Sequence, residues 1–290
     1  MSSESLLQRT KRALSDGIWW EPAWWQKAQY YPPSSTDKNS TDRAFAELRQ
    51  VFDPTWFLQQ VDCCPDIPPR HPVATLLISE GAMPFAVLTN LGWDIITARD
   101  AGLFDADRLL TRLRHPEEYP GARFELLLLA SLIREKFSVH PHPELDNGRK
   151  SDFLIEKNNE KLYLELYRPA DNFPFNLAQE NVLTWLNGNF TSNDIFDSPE
   201  ILKRSRDYRK KATLNVFRNL KDKISGQLPP MKPGVLLLLT TSPLDVNLLQ
   251  NRVSRYGQKR RDFLGVILLS LQFSDGDVRH SWRHLPNPFA

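Results

Sequence analysis

Between residues 42 and 61 the apolar positions Phe45, Leu48, Phe52, Phe57 and Leu58 recur at helical spacing, and Pro54 predicts that the segment divides into two helices. A proline-rich connector covers 63–72, and helical spacing resumes over 73–113, where Gly81, Pro84, Gly92 and Gly102 mark turns between several short helices. After 115–121 the pattern predicts a long helix at 122–136 and then three strands, at 138–142, 152–157 and 161–168. The polar stretch Asn158-Asn159-Glu160 suits a hairpin turn, so the second and third strands pair antiparallel. An irregular insertion at 169–199 precedes a basic helix at 201–225. The nearly continuous apolar run at 235–240 reads as a strand covered on both faces, and a helix at 244–256 and a strand at 265–273 complete the order. This order predicts an α/β fold, a mixed central sheet flanked by helices, with a helical N-terminal region. The expected divisions are an aromatic- and proline-rich arm with helices at 1–72, a helical lead-in at 73–118, and the α/β domain at 119–290.

Alternation along the third strand sets Leu162, Leu164 and Leu166 on one face and Lys161, Tyr163, Glu165 and Tyr167 on the other. A carboxylate in the middle of such a strand is expensive to desolvate unless a cation or a donor compensates it, which makes Glu165 the first candidate for chemistry. Asp152 opens the neighbouring strand, and the hairpin brings the two acids toward each other. Two converging carboxylates suit a hard divalent cation such as Mg²⁺, which takes oxygen ligands and keeps several waters.

Three segments in order, Phe124-Glu125-Leu126-Leu127, Lys150-Ser151-Asp152-Phe153 and Leu164-Glu165-Leu166-Tyr167-Arg168, resemble the helix glutamate, "PD" and "ExK" signatures of the PD-(D/E)XK nuclease superfamily. The resemblance implies a restriction-endonuclease-like core, with Glu125, Asp152 and Glu165 at the family's acidic positions and Asp152 and Glu165 as metal ligands. It implies Mg²⁺-dependent hydrolysis of phosphodiesters in DNA or RNA. Ser151 replaces the usual proline, and Tyr167 replaces the catalytic lysine. A tyrosine of ordinary pKa is neutral at pH 7 and brings no positive charge to the transition state. Lys150, two residues before Asp152, is the first substitute; Lys161, Arg168 and Lys210 or Lys211 are others. The alternative is a catalytically degenerate member serving as a nucleic-acid or protein interaction module.

The net charge of +2 does not by itself point to nucleic acid, but its distribution does more. Lys203, Arg206, Lys210 and Lys211 belong to a run in which Asp207 is the only acid up to Lys221, either a phosphate-binding face or a solvated one. Trp19, Trp20, Trp24 and Trp25 mark an aromatic arm that packs on the core or meets a protein partner. His140 and His142 share a strand face, but a zinc site needs further ligands. Cys63 and Cys64 are adjacent and read as reduced thiols, and no apolar run is long enough to cross a bilayer. With no secretory pattern after Arg12, the expected location is cytoplasmic.

Overall fold

A computed structural model describes residues 38–60, 71–78, 82–105, 108–168, 199–239, 244–274 and 277–290. The tryptophan-rich arm, Cys63 and Cys64, and the insertion after Arg168 lie outside the described residues. The chain divides into two compact units, one of Met1–Ser138 with Gln272–Arg279 and one of Val139–Leu271 with His280–Ala290.

The described part of the first unit is mainly helical: α1 (Lys38–Val51), α2 (Pro54–Gln60), α3 (Pro72–Ile78), α4 (Ala82–Asp100), α5 (Arg108–Arg114) and α6 (Tyr119–Arg134). Pro54 does separate the first two helices, sitting at the first position of α2 where its missing N–H costs nothing. The expected break at Gly92 is absent, because this glycine lies inside the 19-residue α4. A Cβ there would come within 2.4 Å of the Ala44 carbonyl oxygen, so the residue serves close packing of α4 on α1 rather than a turn. The rings of Phe52, Trp56, His71 and Tyr119 pack together in the core, with His71 wholly buried.

The second unit is built on a six-stranded sheet in the order β1 (Ser138–Pro141), β2 (Phe153–Lys157), β3 (Glu160–Tyr167), β4 (Gly234–Leu239), β5 (Phe263–Ser274) and β6 (Asp277–Pro286). β2 and β3 are antiparallel, whereas β3, β4 and β5 run parallel, so the sheet is mixed as expected. Asn158 and Asn159 both adopt positive φ, 53° and 64°, the backbone that a tight two-residue hairpin demands and that asparagine tolerates. Helix α7 (Pro199–Gln227) links β3 to β4, and α8 (Val246–Gly257) links β4 to β5. All six residues of β4 are buried. Val216, Leu220 and Ile224 form the apolar stripe of α7 and, with Leu228 just beyond its end, pack with Leu236, Leu238, Leu249 and Val253. β6 was not expected from the sequence; its run of Arg, His and Ser lacks the apolar signal of the inner strands. The end of the chain is fastened by Asn287, whose side-chain amide donates to the Phe263 carbonyl at 2.7 Å. No helix among the described residues is long and apolar enough to cross a membrane.

Candidate active site

The hairpin register places the two acids. Phe153 pairs with Leu164, and one further step along the same antiparallel ladder sets Asp152 opposite Glu165. Asp152 is half-buried just before β2, and its Oδ2 accepts from the Leu166 N–H at 2.8 Å. Ser151 is fully buried and donates its hydroxyl to the Leu164 carbonyl at 3.0 Å. This bond ties the approach of the chain to β3 and so steadies Asp152.

Glu165 lies on an interior strand, paired on its other side with Leu236 of β4, and its exposure is 0%. Lys223 of α7 donates to Oε1 at 2.9 Å, while Oε2 is buried with no hydrogen-bond partner. Burial, with the negative Asp152 beside it, pushes the Glu165 carboxyl up to about 8, and Lys223 opposes the rise without cancelling it.

Helix α7 runs back along the face of β3 that carries Glu165 and Tyr167. Lys223 meets Glu165, and Asn219, one turn earlier, donates to the Tyr167 hydroxyl at 2.8 Å. The match is geometric: two residues of strand advance about 6.6 Å and one helical turn about 5.4 Å, so residues at i and i+4 on the helix reach i+2 and i on the strand. Tyr167 is therefore held by an amide, and the ammonium group beside Glu165 comes from the neighbouring helix.

Lys223 was missing from the sequence-based candidates. Lys150 lies outside β2, exposed, in a single antiparallel bridge to Glu144, because the strand begins only at Phe153. Lys161 is exposed and pairs with Glu156 at 2.8 Å. Lys210 and Lys211 are exposed on α7, whereas the side chains of Lys203 and Arg206 lie outside the described residues. His140 sits 3.7 Å from Glu156, and His142 packs its ring on Phe153. Glu125 belongs to the first unit, buried on α6 and paired with Arg112 of α5. Its charge is thus compensated within that unit by an arginine 13 residues earlier in the chain.

Among the described residues no group of three or more His, Cys, Asp or Glu side chains gathers as a ready-made metal cage. Mg²⁺ does not require one, since it binds through one or two carboxylates and retains water for its other positions. The partnerless Oε2 of Glu165 and the adjacent Asp152 carboxylate fit such an ion, which would supply the positive charge the pair lacks. Comparison with protein-family models, with curated proteins and with solved structures returned no match.

Proposed function

We propose that the second unit is a Mg²⁺-dependent phosphodiesterase acting on DNA or RNA, with Asp152 and Glu165 as metal ligands and Lys223 as the cation beside them. The observation that carries the reading is the environment of Glu165: an acid buried in an interior strand, one oxygen held by a lysine and the other without a donor next to a second acid. When bound, Mg²⁺ supplies Lewis acidity toward the phosphate and lowers the pKa of water. The Leu166 N–H holds one oxygen of Asp152 and so orients its carboxylate beside Glu165. Lys223, about one-third exposed, extends from Glu165 toward solvent, where its charge offsets the negative charge that develops on phosphate. Asn219 orients the Tyr167 hydroxyl, and because the amide donates, the phenol proton remains available as a donor.

The test is cleavage of unspecific DNA and RNA in Mg²⁺ or Mn²⁺. Lys223→Ala is expected to lower the rate by roughly 10²- to 10³-fold, and Asp152→Asn to remove it. Lys150→Ala, measured beside it, separates the two lysines: the reading requires the larger loss from Lys223. Cleavage that survives Asp152→Asn unchanged overturns the site.

A second reading is a non-catalytic module, favoured by the complete burial of Glu165 and the rise of its carboxyl to about 8, which together suit a proton shared with Asp152 rather than an ion. An unfolding midpoint that rises with Mg²⁺ in the wild type and not in Glu165→Gln favours the enzyme. Indifference of both proteins to Mg²⁺ favours the module.

A further inference from the structure

A cavity of about 570 Å³ in the second unit is lined by Arg209 and Lys210 of α7, Asp245 and Asn247 at the start of α8, and Arg283 of β6. Its place follows from the chain path. Lys223 lies over Glu165 and Asn219 over Tyr167, so α7 runs antiparallel to β3, and residues more than two turns before Asn219 reach past the carboxyl end of that strand. The start of α8 follows β4, parallel to β3, and lies at the same end. The crevice outside the carboxyl ends of parallel strands is where open α/β sheets take ligands.

The lining carries three cations and one acid, and the acid is already engaged. The Asp245 carboxylate accepts from the Leu248 N–H at 3.0 Å as the cap of α8, and its own N–H donates to the Thr213 hydroxyl at 2.9 Å. Thr213 in turn donates to the Arg209 carbonyl at 2.7 Å, so the junction of α7 with α8 is fixed by hydrogen bonds beneath the cations. Lys210 and Arg283 are exposed and come from different elements, a helix and an edge strand, that converge on one concavity. A volume of this size is ordinary for a small-ligand pocket, and two guanidinium groups with an ammonium form the donor set that matches phosphate.

We propose that this cavity binds a phosphate group, with Arg283 and Lys210 as its principal contacts and Arg209 and Asn247 beside them. Two sources share this chemistry: a free phosphate compound, and the backbone of a nucleic-acid strand. Lys210 precedes Lys223 by 13 positions, about 20 Å of helix, so the cavity is distinct from the Glu165 site. Only the second source draws on the nucleic-acid reading above.

The experiment titrates the full chain, in chelator and without divalent metal, with inorganic pyrophosphate by calorimetry and with a fluorescent oligonucleotide by anisotropy. Arg283→Ala and Lys210→Ala should each weaken pyrophosphate binding about tenfold or more, while Arg255→Ala, an exposed cation of α8 outside the cavity, should not. If pyrophosphate displaces the oligonucleotide, and each substitution lowers the salt slope of oligonucleotide binding by about 0.7 to 0.9, the occupant is a strand phosphate. Binding of pyrophosphate without displacement identifies a free phosphate compound. Absence of pyrophosphate binding, or equal affinity in the Lys210→Ala/Arg283→Ala double variant, overturns the proposal. Because no metal is present, failure here leaves the carboxylate site untouched, and an inert carboxylate site leaves this result standing.

Discussion

Asp94 in the first unit and Glu165 in the second are both acids with almost no exposure, 2% and 0%, yet they are compensated in opposite ways. Asp94 on α4 receives Arg123 and Arg134 of α6, one on each oxygen, both at 2.6 Å. Glu125 in the same unit meets Arg112. Glu165 has a single lysine, a partnerless oxygen and a second carboxylate beside it. A buried charge that is fully paired holds helices in register, whereas one left short of a cation is a cost that packing alone does not explain. On the proposed reading, the difference separates an acid that serves the fold from one kept for a ligand.

The largest expected effect comes from breaking the satisfied site. Asp94→Ala removes the shared acceptor of two arginines, one of them mostly buried, and should destabilise the protein by about 3 kcal/mol in denaturant unfolding. A loss below about 1 kcal/mol would show that the two arginines find solvent or other partners, and would erase the contrast with Glu165.

Much of the second unit was readable in advance because its signals are local. The Asn158-Asn159 turn fixes the β2–β3 register, and the register alone brings Asp152 opposite Glu165. The alternation of β3 gave the correct face for Glu165 and Tyr167, the one that α7 covers. Lys223 was not readable from charge density, which favours Lys210 and Lys211 near the middle of the helix. The useful signal was the apolar stripe Val216, Leu220 and Ile224: the residues flanking it, Asn219 and Lys223, are those that a packed helix turns toward the strand beneath. The partner of Glu125 depends on how α5 packs on α6, which spacing within one helix does not disclose. β6 escaped because its polar run lacks the apolar pattern that marked β4 and β5.

His71 is wholly buried, donates from Nε2 to the Leu113 carbonyl at 2.8 Å and accepts the Val73 N–H at Nδ1, a neutral tautomer locked on both sides. Burial lowers its pKa to about 4. The unfolded chain, with an ordinary histidine near 6.5, then binds more protons than the folded one between these values. This group's contribution is therefore intact above pH 6.5, is lost as pH falls toward 4, and amounts to roughly 3 kcal/mol in total. The difference in unfolding free energy between wild type and His71→Gln, followed from pH 7 to pH 4, should narrow by that amount. A constant difference would mean that the histidine is protonated as easily in the fold as outside it.

Glu165 carries the opposite sign, and its effect is the smallest because one substitution both removes and restores interactions. Its carboxyl is raised to about 8 from an ordinary value near 4.5, so the folded protein holds the extra proton. In the absence of metal, stability is fully present below about 4.5 and falls as pH rises through 8. Glu165→Gln replaces the titrating group with an amide that donates to Asp152 and keeps an oxygen for Lys223, whose partial exposure lets it recover water if that bond weakens. In chelator at pH 7.5 the variant should be as stable as the wild type or more stable by about 1 kcal/mol, in contrast to the loss at Asp94. The advantage should vanish near pH 4.5, where the wild-type carboxyl is protonated in both states. Adding Mg²⁺ should stabilise only the wild type, reversing the order of the two proteins. A variant clearly less stable than the wild type in chelator at pH 7.5 would mean that the Lys223 pair outweighs the burial of the charge, and Glu165 would then join Asp94 as an acid that serves the fold.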